Sequence, residues 1–217
     1  IIFTDPKGLL SAPTNPAADP TALNGLNPLV LNGDASTLGR SFDPEGFVIN
    51  PRTGNLLVSD EYGPSIYEFN RRGELIRVFE TPANLTSKVN GSTNYVADRD
   101  AGLNAGRQDN RGFEGLAITP DGKMLYAVLQ DPLVNEPSPN NGRNGRNLRI
   151  VAFDNDRISP TYATSIAQYA YQLELQADIM QRIHSRWWIC HQYRSTRRPK
   201  HRAFCYRGAQ HPRVLGA

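Results

Sequence analysis

The sequence predicts an all-β chain of propeller-like blades, each a set of antiparallel strands, in an incomplete propeller. Three observations predict it. A strand-turn-strand unit running from Ser41 to Glu61 returns in outline from Arg111 to Gln130. Further short apolar runs, separated by turn signals, follow each copy. The composition, 39% hydrophobic with 18 Gly and 16 Pro in 217 residues, suits a loop-rich β protein better than a helical one.

The elements follow in order. Residues 1–40, rich in Pro, Asn and Ala, read as an irregular lead-in with one strand near Leu29-Val-Leu31. Phe47-Val-Ile49 and Leu116-Ala-Ile118 are short β-formers that end in turn signals, Asn50-Pro-Arg-Thr-Gly54 and Thr119-Pro-Asp-Gly122. Proline presets φ and glycine accepts positive φ, so the chain reverses at both. Asn55-Leu-Leu-Val-Ser59 and Lys123 to Leu129 complete two hairpins. Glu114 follows Glu45 at an offset of 69 residues, and one residue is dropped in the second turn to place Glu61 on Gln130. Third strands are Ser65-Ile-Tyr-Glu-Phe69 and Leu148 to Phe153, and the first unit adds a fourth, Leu75 to Phe79. Tyr162 to Ile183 reads as a strand or helix entering another blade. Two long polar connections remain, 80–112 and Asp131 to Asn147, and the second reads as too polar to pack, projecting over one face.

Four short antiparallel strands per repeated unit describe a propeller blade. One blade cannot bury both its faces, so several stack around an axis. Two or three blades are countable here, against roughly four to eight in closed propellers. The chain therefore reads as a piece of a larger domain. A β-sandwich with two similar hairpins is the alternative.

Charge divides the chain in two. Residues 182–217 hold nine of the 24 Lys and Arg, none of the 21 Asp and Glu, and all four His, both Trp and both Cys. The boundaries expected are a propeller domain over 1–183 and a basic tail over 184–217 that is not native to the fold, as a shifted reading frame would produce. Cys190-His191 with His201 and Cys205 offers a zinc-ligand set, but structural zinc ligands come as tighter pairs. A basic strip with aromatics is a weak nucleic-acid signal, and nucleic acid is not the expected partner. No run approaches the roughly 20 apolar residues of a membrane span. The chain starts at Ile1 without an initiator Met, so an export leader is compatible with it.

The repeat also sets out the candidate chemistry. In a propeller, equivalent positions of successive blades converge on the central channel, so Glu45 and Glu114 point toward a shared space. Asp60 and Glu61 close the second strand of one unit, Gln130 and Asp131 that of the next. Ca²⁺ takes six to eight oxygen ligands, and clustered carboxylates repel unless a cation or proton intervenes. Glu45, Asp60, Glu61 and Glu114 are the candidate metal ligands. Glu45, Glu114, Arg111 and Gln130 are the candidate catalytic residues, Arg111 to clamp a phosphate and Gln130 to orient water or substrate. A cation plus Arg suits phosphoester hydrolysis. Two opposing readings stand beside it: each Glu simply hydrogen-bonds neighbouring amides, or the propeller is noncatalytic and binds a partner or a glycan, its acids holding a structural cation. Serine-triad catalysis finds no support, because the sequence before residue 184 has no His and no Gly-x-Ser-x-Gly elbow.

Phe42-Asp-Pro-Glu-Gly46, Ser59-Asp-Glu-Tyr-Gly-Pro64, Asn110-Arg-Gly-Phe-Glu-Gly115 and Ala127-Val-Leu-Gln130 resemble the motifs of the phytase-like family, described as having esterase-like activity of phytase. The resemblance runs from about Gly39 to about Ile183. It implies a propeller-type domain of exported proteins, a small phosphoester substrate, and phosphoesterase chemistry on Glu45, Asp60, Glu61 and Glu114. The family domain is much longer than this chain.

Overall fold

The computed structural model describes residues 1–10, 21–25, 39–95, 102–175 and 177–182. They are almost entirely strand, turn and loop. Ten strands follow one another: β1 Pro44–Ile49, β2 Leu56–Asp60, β3 Ser65–Phe69, β4 Leu75–Phe79, β5 Lys88–Val89, β6 Ser92–Thr93, β7 Phe113–Ile118, β8 Met124–Leu129, β9 Asn147–Asp154 and β10 Ser165–Gln172. β1 to β4 form one antiparallel sheet in sequential order, β7 to β10 a second, and β5 with β6 a small hairpin. A compact unit runs from Ile1 to Leu173 and a second begins at Glu174, where residues 177–182 are helical and Arg182 donates to Glu174.

The two sheets are copies at the level of the ladder. Ile49 pairs with Leu56 and Phe47 with Val58, just as Ile118 pairs with Leu125 and Leu116 with Ala127. The offset of 69 residues therefore holds throughout, and no residue is dropped in the second turn. Asn50 donates to the carbonyl of Asn55, and Thr119 to that of Met124, so the two loops are equally long. What differs is where the positive-φ glycine falls: Gly54 (φ 72°) lies one position later in its loop than Gly122 (φ 69°). That shift imitates a deletion in the sequence.

Alternation along the strands supplies two cores. Leu57, Ile66 and Phe79 of the first sheet meet Phe113, Leu125, Ala127, Leu129, Val151 and Phe153 of the second in one buried cluster. On the opposite face of the first sheet Leu56, Val58, Tyr67, Phe69 and Leu75 are covered by Leu10 and Phe42, with Phe3 and Leu23 against them. Each fully buried Phe or Leu contributes about 1.5–3 kcal/mol. One charge lies among them: Glu68, 0% exposed, takes hydrogen bonds from Arg157 (2.6 Å), the Tyr162 hydroxyl (2.8 Å) and Asn55 (2.7 Å). The bonds from Arg157 and Tyr162, both between β9 and β10, tie the second sheet to the first.

Three expectations change. Ser165–Gln172 is the fourth strand of the second sheet, pairing with β9, rather than the start of another unit. The 131–147 connection does pack: Leu133 and Val134 are buried, Val134 donates to the Gly106 carbonyl, and Arg143 reaches Gln108 and Asp109. Asn135, Asn141 and Arg143 bond to the 102–111 segment, which anchors a connection whose composition is polar. Within 80–112, Lys88 to Thr93 forms the β5–β6 hairpin. The strand expected at Leu29-Val-Leu31 and the tail 184–217, with Cys190, His191, His201 and Cys205, lie outside the described residues.

Candidate metal centre

Glu45 and Glu114 sit on matching irregularities of β1 and β7, not ahead of the strands. The ladder shifts register between Pro44 and Phe47, and again between Phe113 and Gly115. An extra residue in one strand bends it and re-aims a side chain, a device common beside functional sites. Ser59 holds the first irregularity, accepting from the Gly46 amide at 2.8 Å. β1 lies beside β7, and a methyl group on Gly46 would come within 2.6 Å of Leu116 Cβ. Glycine at 46 is thus what lets the two glutamate-bearing strands approach.

The strand ends close the centre. Glu61 donates its amide to the Asp43 carbonyl at 3.0 Å, and at the equivalent place Gln130 donates to the Gly112 carbonyl at 3.1 Å. Gly112 stands where the first copy has Asp43, because a side chain there would overlap the carbonyls of Glu61 and Asp60. Asp43, Glu45 and Glu61 each offer a carboxylate oxygen, and those three atoms lie within 4.8 Å of one another. Among the described residues, Glu114 adds a fourth carboxylate whose Oε2 is buried and has no hydrogen-bond partner.

The electrostatics follow from that crowding. Burial, then the charges of Asp43, Glu114 and Glu45, push the Glu61 carboxyl from 4.5 up to about 7. Partial loss of water, then Glu114 and Asp43, raise Glu45 as well. Arg111 relieves part of this: its Nη1 donates to Gln130 Oε1 at 2.6 Å, lies 3.7 Å from Glu61, and its Nε is 3.6 Å from Asp131. Its side chain remains 35% exposed.

Asp60 has a different position. Fully buried, its Oδ1 accepts from the amides of Asp43 (2.9 Å) and Tyr62 (3.3 Å), its Oδ2 from the Gly63 amide (3.1 Å) and the Tyr67 hydroxyl (3.3 Å). Burial pushes it up to about 7 against the pull of those donors. The structure thus brings Glu45, Glu61, Glu114, Arg111 and Gln130 together and sets Asp60 beneath them, bonded to the loop that carries Asp43. Asp43 is the acid that sequence reasoning missed. Its signal was present, since residues two apart on an extended chain share a side and Asp43 precedes Glu45 by two. Buried Arg107, held down to about 10 by burial while Asp60, Asp109 and Glu61 oppose the shift, had no such signal.

The sequence matches the model of the phytase-like family, described as esterase-like activity of phytase, over residues 5–186. The chain belongs to this family. The match begins well before Gly39, at Asp5, whose carboxylate accepts from the amides of Leu9 and Leu10, both at 2.9 Å. An uncharacterized secreted protein of Arthroderma benhamiae is 35% identical over 133 residues, which cover 56% of this chain and 26% of the relative. The phytase-like chain thus spans about a quarter of that relative's length. Among its described residues, no helix is long and apolar enough to cross a membrane.

The donor set fits a hard cation. All four candidate groups are carboxylates, the ligand type Ca²⁺ prefers. Three raised or crowded acids and one buried oxygen without a donor are what an oxygen-bound cation would satisfy.

Proposed function

We propose that the chain holds a divalent cation, Ca²⁺, at Asp43, Glu45, Glu61 and Glu114 and hydrolyses phosphoric esters of small molecules beside it. The observation that carries the reading is the buried, unpartnered Glu114 Oε2, whose carboxylate is near enough to raise Glu45 and Glu61, beside a set of Asp43, Glu45 and Glu61 oxygens within 4.8 Å of one another. An unpaired buried carboxylate oxygen costs several kcal/mol, and a cation removes that cost.

When bound, such an ion polarises a phosphoryl oxygen and lowers the pKa of water. The chain's own residues do the rest. Arg111, a third exposed and held in place by Gln130 Oε1, presents its remaining donors to the phosphate. Gln130 keeps its amide NH₂ to orient water or a substrate oxygen. Glu45, the most exposed of the acids, takes the proton released by the attacking water. Asp60 fixes the Asp43 loop from below through its four hydrogen bonds.

The two sheets are read as neighbouring blades of a propeller, supported by their shared four-strand order and by matching irregularities on β1 and β7. We assign residues 1–183 to that domain and leave 184–217 outside it. Export is supported by the description of the fungal relative as secreted.

Turnover of p-nitrophenyl phosphate in Ca²⁺, lost with chelator and in Glu114→Ala, tests the reading. A second reading is favoured by the pairing of Arg111 with Glu61, Gln130 and Asp131, which suits a structural centre in a noncatalytic binding module. It prevails if chelation lowers only the melting temperature and no ester is cleaved.

A further inference from the structure

The small β5–β6 hairpin carries a feature that the metal centre does not use. Its loop is Asn90-Gly91, with Val89 paired to Ser92. Both loop residues have positive φ, 50° and 83°, the two-residue turn for which Asn-Gly is the favoured sequence. Asn90-Gly91-Ser92 is also an Asn-x-Ser acceptor for an N-linked sugar.

The turn presents that acceptor well. Asn90, Gly91 and Ser92 are all exposed, and a methyl group built on Gly91 would meet nothing within 4 Å. Asn104 donates to Asn90 Oδ1 at 3.3 Å, which engages the amide oxygen and not the nitrogen that would bear a sugar. A second triplet, Asn84-Leu85-Thr86, differs on each count. Leu85 and Thr86 are buried, and both ends of the Asn84 amide are bonded to Gln168 of β10 at 2.9 Å. A glycan on Asn84 breaks that pair; a glycan on Asn90 displaces nothing in the fold.

We infer that Asn90 is an N-glycosylation acceptor and carries an oligosaccharide at the hairpin tip. In the step, Asn90 Nδ2 forms a bond to the anomeric carbon of a lipid-diphosphate-linked oligosaccharide. The bond from that carbon to the diphosphate oxygen breaks, the lipid diphosphate leaves, and the amide loses one proton. The assignment rests on the export proposed above. Supplying a leader in the test separates the two, since the acceptor is then read whatever the natural address.

The full chain is produced in a eukaryotic secretory host behind a supplied leader, and intact masses of cell and medium protein are compared before and after peptide N-glycosidase. One glycan is expected, and its release leaves aspartate at position 90. Ser92→Ala removes it while keeping the Asn-Gly turn, so a folding failure of Asn90→Gln cannot obscure the result. Ser92→Thr retains it. A bare Asn90 in chain that has entered the secretory route, or a glycan on Asn84 alone, overturns the inference.

Discussion

At the residue scale, two aspartates near one centre do opposite work. Asp60 has every oxygen committed to a backbone amide or the buried Tyr67 hydroxyl. Asp43 is half-buried and shares the carboxylate cluster with Glu45 and Glu61. Asp60→Ala therefore strands several buried donors and should cost about 3 kcal/mol in urea unfolding. Asp43→Asn should stay within about 0.5 kcal/mol of the parent while weakening Ca²⁺, read by calorimetric titration, on the order of tenfold. Equal effects of the two changes on stability would contradict this division. The sequence made Glu45, Glu61 and Glu114 legible because the repeat aligned them. It could not separate Asp43 from Asp60, because which acid is consumed by amides depends on the turn at Tyr62-Gly63.

At the element scale, the hairpins were readable from turn chemistry and apolar runs, and β3, expected over Ser65–Phe69, has those bounds. The irregularities in β1 and β7 were not, since an extra residue in a strand leaves no mark in composition. Nor was the packing of 131–147 legible, because its hydrogen bonds go to a segment some 30 residues earlier. The gap expected in the second turn has no counterpart: Glu61 to Gln130 spans the same 69 positions as Glu45 to Glu114, and only the glycine has moved by one place. The close approach of β1 and β7 makes its own prediction. Gly46→Ala drives a methyl group onto Leu116 and Ser59 Oγ, both at 2.6 Å, in a place that cannot give without parting the strands. A loss of about 2 kcal/mol is expected, with reduced Ca²⁺ affinity because Glu45 and Glu114 separate. Unchanged affinity in a folded Gly46→Ala chain would show that the strand spacing does not set the site.

At the scale of the whole molecule, the acidic centre couples stability to pH and, on the proposed function, to metal. Asp60 and Glu61 are raised from 3.8 and 4.5 to about 7, so the folded chain binds more protons than the unfolded one between those values. Their contribution is fully present below about pH 4 and is lost as pH rises through about 7. Metal-free protein should then melt at progressively lower temperature from about pH 5 to about pH 8. Glu61→Gln, with one fewer group to deprotonate, should show a shallower fall. At the proposed site Ca²⁺ competes with the proton on Glu61, so its stabilisation must grow with pH over the same range. At about a hundredfold excess over Kd it supplies about 2.7 kcal/mol, several degrees for a chain of this size. Thermal melts of the parent and Glu61→Gln across that range, each with Ca²⁺ and with chelator, check all three signs. A Ca²⁺ shift that is the same at low and high pH would mean that the ion, if it binds, does not displace protons from these carboxylates.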